Sequence, residues 1–228
     1  MISDKKKFFM GAGLLLSFFV VFAIIFSPVF DGKNGLEFLD NLYNSISKGS
    51  AYYIPDLKDS SAAHNGKTVT VNLALKDADD AKQTSLLFLA AGATVDIHDS
   101  ELKVSGDFGK ILENCLDDAD QMYLNQGEKL SDKYGYDEKK VLYNWWTAAS
   151  LMDKDLKEQR LFKEAEVVTT VKNRAVETAY NYYKIEPQKI SERLGIVIFS
   201  LIFYVVYTLW YGFAIMYMFD GWGLKLEH

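Results

Sequence analysis

The sequence predicts a membrane-anchored α+β protein, mostly helical, in which two transmembrane helices flank a soluble domain of roughly 160 residues with a small sheet and several long helices. Three observations predict it. Residues 8–30 and 194–219 contain no Asp, Glu, Lys, Arg or His. Residues 67–75 alternate apolar and polar side chains with the period of a half-buried strand. Nearly everything from Phe108 to the second apolar run keeps helical spacing.

The first apolar run has 23 residues. As a helix it reaches about 34 Å, enough for a hydrocarbon core of about 30 Å. Lys5, Lys6 and Lys7 ahead of it resemble the charged start of a secretion signal. The apolar part of a signal is about 7–15 residues long and ends in small residues. This run is longer and ends Phe26-Ser27-Pro28-Val29-Phe30, so an uncleaved anchor is expected. Gly13 and Ser17 form a small-xxx-small pair that would let another helix approach closely.

The second run has 26 residues, about 39 Å of helix, so it must tilt or project beyond the hydrocarbon. Ser200, Tyr204, Tyr207, Thr208 and Tyr211 fall on one face of it. A hydroxyl stripe in hydrocarbon needs protein or water beside it. Either the two helices of one chain pack together, or several copies assemble with this oligomer or pore face turned inward.

The expected order is therefore a cytoplasmic N-terminus (1–7), a transmembrane helix (8–30), an extracytoplasmic α+β domain (31–193), a second transmembrane helix (194–219) and a cytoplasmic C-terminus (220–228). Its last residues, 226–228, look like the start of a tag scar. Three lysines in the first seven residues favour the cytoplasmic assignment. The expected location is the plasma (inner) membrane, two-pass, with the central domain periplasmic or extracellular.

Within the domain, Leu36, Leu39, Leu42, Tyr43 and Ile46 keep helical spacing, with Gly49 as a C-cap. Residues 50–66, with Pro55, read as irregular. In the strand that follows, Val69, Val71, Leu73 and Leu75 share one face. Asp77, Asp79 and Asp80 open a helix that Gly92 stops. Residues 93–98 and 101–105 form a hairpin about Asp99-Ser100, and helices follow over about 108–126, 137–152 and 155–184. The last would be some 45 Å long if unbroken. It reads as a long core helix or a coiled-coil contact, leading through Ile185-Glu186-Pro187 into the second span.

Residues 31–193 carry 21 basic and 28 acidic side chains, a balance that speaks against a nucleic-acid partner. Cys115 is the only cysteine, which excludes an internal disulfide and Cys-rich metal sites; it reads as a buried thiol. Asp96, His98, Asp99 and Glu101 gather around the hairpin turn as a weak candidate metal site; an exposed polar hairpin is the favoured reading, because metal sites usually need more converging ligands. Asp77/Asp79/Asp80 and Asp117/Asp118/Asp120 lack the Gly and Glu of a calcium loop and read as solvated helix faces. Trp145-Trp146 reads as core, or alternatively as a headgroup-facing surface or a ligand pocket. No phosphate loop, nucleophile elbow or metalloprotease motif occurs. Neither an enzyme nor a cofactor is expected. The expectation is a homo-oligomeric two-span protein with a large acidic domain, forming a channel, pore or scaffold through its second span. The alternatives are a membrane-tethered sensor or ligand-binding module and an accessory subunit of a larger complex. The expected partners are the lipid bilayer, further copies of the chain and other membrane subunits.

Overall fold

The computed structural model describes residues 2–30 and 32–224. The chain is mostly helical (72%), with one small three-stranded antiparallel sheet and two helices long and apolar enough to cross a membrane. Its contacts divide it into two units, one built from residues up to 49 with those from 187 onward, the other from residues 50–186.

The first unit is a helical hairpin with a short companion helix. Helix α1 (Lys5–Ile25) starts where the Asp4 carboxylate accepts the backbone N–H groups of Lys6 and Lys7 at 3.0 and 3.1 Å. It ends at Ile25, earlier than the apolar run does, because Pro28 cannot continue it. Helix α2 (Gly35–Ser50) opens with a capping box: Glu37 N–H donates to Asn34 Oδ1 at 2.9 Å, and Asn34 N–H to Glu37 Oε2 at 3.1 Å. Gly49 does not stop it. It lies in the last turn, where the Gln188 carbonyl oxygen stands 3.1 Å from the position a Cβ would take.

The long helix α10 (Ile190–Trp222) has 33 residues, more than the charge-free run it contains. It closes on Gly223, whose positive φ of 85° lets the Leu224 N–H reach the Phe219 carbonyl at 3.0 Å. Helices α1 and α10 lie antiparallel. Ser200, Phe203, Tyr207, Trp210, Ala214, Tyr217 and Gly221 recur at alternating spacings of four and three, and each is at least partly buried. At two points the backbones nearly touch: a Cβ on Gly11 would meet Met218 N at 2.6 Å, and one on Gly221 would meet Phe8 N at 2.4 Å. The two open ends of the hairpin are tied together, with Ser3 N–H and Asp4 N–H both donating to the Gly221 carbonyl at 2.9 Å.

The second unit holds the sheet. Helix α3 (Ile54–Ser61) occupies part of the stretch expected to be irregular; Pro55 sits in its first turn, where its missing N–H costs nothing. Strand β1 (Thr68–Ala74) leads through α4 (Ala78–Ala90) to the hairpin β2 (Thr94–His98) and β3 (Glu101–Asp107). The order is β1-β3-β2, both pairs antiparallel, with Val71 opposite Val104 and Val95 opposite that same residue from the other side. Val69, Val71 and Leu73 point into the core as their alternation requires. The helices α5 (Phe108–Tyr123), α6 (Glu128–Tyr134), α7 (Glu138–Glu158), α8 (Phe162–Val171) and α9 (Glu177–Tyr182) follow. Asp77, Asp107 and Asp137 cap α4, α5 and α7, each accepting the N–H three residues on.

The expected 30-residue helix over 155–184 is not one helix. Helix α7 runs through residue 155 and ends at Glu158; Arg160 turns left-handed with φ of 64°, and α8 begins at Phe162. The Leu161 N–H returns to the Leu156 carbonyl at 2.8 Å and Arg160 N–H to Lys157 at 3.0 Å, a Schellman closure without its usual glycine. A single π-helical turn, Lys172–Val176, separates α8 from α9.

Candidate functional site

The hydroxyl stripe runs beside the hairpin seam. Tyr207 and Tyr211 lay their rings against Phe18 of α1, with centroids 4.8 and 5.2 Å away. Ser200 is buried and its Oγ shares a 2.6 Å hydrogen bond with the Tyr43 hydroxyl of α2. Thr208 Oγ1 turns back to the Tyr204 carbonyl at 2.8 Å. Tyr204 is 67% exposed. Two of the five hydroxyls, those of Ser200 and Thr208, are therefore satisfied inside the chain. Among the described residues, the phenol hydroxyls of Tyr204, Tyr207 and Tyr211 have no hydrogen-bond partner.

The small pair expected to allow close packing is not on this seam. A Cβ on Gly13 would meet nothing within 4 Å, and Ser17 Oγ bonds its own helix at the Leu14 carbonyl, 2.8 Å away. Gly11, two residues earlier, does the work that was expected of Gly13, because the helical phase places position 11 in line with Phe18. Trp210 adds a polar clasp across the seam, its Nε1–H donating to the Leu14 carbonyl at 3.1 Å.

The hairpin cluster does not assemble. Asp96, His98, Asp99 and Glu101 are all exposed on the β2–β3 ribbon, with Asp96 opposite Lys103 and His98 opposite Glu101. No group of three or more His, Cys, Asp or Glu able to hold a metal occurs among the described residues. The edge strand β2 is exposed along most of its length, Ile97 included, and Glu101 opens β3 at the same end, so nothing converges on these side chains.

A different carboxylate is the polar centre of the domain. Asp118, expected on a solvated face, is 1% exposed. Its Oδ2 accepts Tyr134 OH at 2.6 Å and Trp145 Nε1–H at 2.8 Å, while Oδ1 accepts Lys133 Nζ at 2.7 Å. Burial, then the Asp118 charge and hydrogen bond, push the Tyr134 phenol far above its ordinary range. Cys115, one turn away, is fully enclosed, and burial pushes its thiol up as well. Both groups stay protonated at neutral pH. The network ties α5, α6 and α7 together around one buried carboxylate.

The tryptophan pair splits. Trp145 is core, its ring edge-on to Phe88 at 5.5 Å. Trp146, one position on, stacks with Tyr143 at 6.3 Å and faces outward. With Tyr180, Val176 and Glu177 it lines an open cleft of about 300 Å³. Lys172, Lys140 and Lys139 hold their ammonium groups 5.6, 5.0 and 5.8 Å from the rings of Trp146, Tyr143 and Tyr180. Neither Val176 nor Tyr180 could be assigned to the cleft from sequence, because the π turn that ends at Val176 and precedes Tyr180 shifts the helical phase. No family model, curated protein or solved structure matches the chain.

Proposed function

We propose that the chain is a two-span integral membrane protein that carries its α+β domain on one side of the bilayer and self-associates through the remaining hydroxyl face of α10. One observation carries this reading: among the described residues, the hydroxyls of Tyr204, Tyr207 and Tyr211 have no intrachain partner, near the middle of a run free of charge. Tyr204 and Tyr207 lie within roughly 4 Å of the centre of that run along the helix axis. In hydrocarbon an unpartnered hydroxyl is costly, and a neighbouring helix relieves it. The tied ends of the hairpin, with Lys7 Nζ 3.4 Å from Asp220, support a common side for both termini. The lysines at 5–7 favour the cytoplasm for that side, leaving the acidic domain outside, where copies around an axis would form a scaffold or the vestibule of a pore.

The test is the mass of the purified protein in nanodiscs. Several copies per particle are expected, and Tyr204→Phe with Tyr211→Phe, which keeps the rings and removes only the hydroxyls, should shift particles toward one copy. A wild-type chain that is strictly monomeric refutes self-association; a monomer that always carries unlike chains makes it an accessory subunit. The aromatic cleft favours a second reading, a membrane-tethered binding module, which predicts that a ligand raises the thermal midpoint of the domain.

A further inference from the structure

At the other end of the hairpin, where α1 has ended and α10 continues alone, lies a groove of about 230 Å³ formed by the loop after α1, by α2 and by the first turns of α10. Among the described residues, the only charged side chains lining it are cations, Lys33 and Arg193. Neither pairs with a carboxylate among the described residues. Lys33 is anchored through its backbone and Arg193 through its side chain. Lys33 sits in a reciprocal backbone bridge with Phe30, with N···O distances of 2.9 and 3.0 Å. Arg193 donates its Nε–H to Gln188 Oε1 at 2.8 Å, which orients the guanidinium and leaves its terminal N–H groups for another acceptor. Asn41 adds a polar wall. Opposite stands an apolar wall, Phe30 stacked on Phe38 with centroids 5.2 Å apart.

The register of the chain fixes the level of these groups. Arg193 immediately precedes the charge-free run of α10, and Phe30 ends the charge-free run that begins at residue 8. In a two-span protein this is the level where hydrocarbon gives way to headgroups. A guanidinium and an ammonium with no carboxylate beside them among the described residues, next to amides and the rings of Phe30 and Phe38, match an anion that carries an apolar body. A small soluble anion would use the cations and leave the phenylalanine wall idle.

We propose that this groove binds the phosphate headgroup of an anionic phospholipid, with Lys33 and Arg193 on the phosphate and Phe30 and Phe38 along the start of the acyl chains. The proposal rests on the two-span reading, and the experiment separates the two. Full-length protein is first assayed for solubility without detergent; a chain that stays dissolved overturns both. Detergent-solubilised protein is then titrated with short-chain phosphatidylglycerol, short-chain phosphatidylcholine and inorganic phosphate, and its thermal midpoint is read. Phosphatidylglycerol should raise the midpoint at concentrations where the other two do nothing. Lys33→Gln or Arg193→Gln should each weaken that response about fivefold, while Arg193→Lys keeps most of it and shows that the fold survives. Lys5→Gln with Lys6→Gln, the same charge change at the opposite end, should leave it intact. Equal responses to the two lipids, or a response that survives Lys33→Gln with Arg193→Gln, overturn this site alone. A response to inorganic phosphate equal to that for phosphatidylglycerol overturns the lipid as its source.

Discussion

Replacing Asp118 by alanine removes the acceptor shared by three donors on two different helices, Lys133 and Tyr134 of α6 and Trp145 of α7. Trp145 Nε1 and Tyr134 OH are the costly ones, because both residues are buried, at 1% and 7% exposure, and neither donor can turn to water. An orphaned buried donor costs about 1–3 kcal/mol. Lys133 keeps 37% of its side chain exposed and rehydrates, so its share is at most about 1 kcal/mol. The sum is about 2–7 kcal/mol, a large part of the about 5–15 kcal/mol by which domains are stable. For a unit of this size, at roughly 3 °C per kcal/mol, that corresponds to a fall in thermal midpoint of about 6–20 °C. Near-ultraviolet circular dichroism of the full-length protein in detergent reports it directly, since Trp145 is one of the four tryptophans. Asp118→Asn retains a carbonyl acceptor for one of the two buried donors and should lose about half as much. An alanine variant that melts within about 1 °C of the wild type would refute the view that Asp118 organises this core.

Two further outcomes follow from the geometry. Gly11→Leu should splay the α1–α10 hairpin, since even its Cβ would stand 2.8 Å from the Ala214 carbonyl oxygen, whereas Gly13→Leu has open space; cross-linking between cysteines placed at Leu14 and Trp210 distinguishes them. Acid should destabilise the domain: the Lys67 hydrogen bond to Glu164, and at Glu138 its own backbone N–H followed by Tyr183 and Ser131, hold both carboxyls below the ordinary value of 4.5. Because the unfolded chain binds these protons more readily, the stabilisation is complete above about pH 5 and is lost as pH falls through the lowered folded values. Glu138→Gln with Glu164→Gln should flatten the loss of melting temperature below about pH 4.5, and an unchanged slope refutes the assignment.

Much of the second unit was legible. Strand β1, the Asp77 cap, the stop at Gly92 and the Asp99-Ser100 turn all follow from short-range chemistry: alternation, a carboxylate near free N–H groups, and residues that tolerate the needed backbone. The break at Arg160 was not legible, because a left-handed arginine carries no sequence signature; the apolar spacing continues through it, and α8 turns only because it packs back on α7. Helices α3 and α6 were missed for a related reason. Each has only one or two turns, too few for a period to show.

Residue types alone determined where hydrocarbon can be crossed, since no charge interrupts residues 8–30 or 194–219, and where a strand must present one apolar face. Only the tertiary structure decided which side chain of a run of acids turns inward, which of two glycines lies on a seam, and which distant cations share a groove. Asp118 and Asp117 have the same chemistry, as do Gly11 and Gly13; a difference of one or two positions in helical phase separates buried from exposed. That phase is set by what the helix packs against, and Lys33 and Arg193 meet because α2 and α10 are brought together by contacts that neither segment contains by itself.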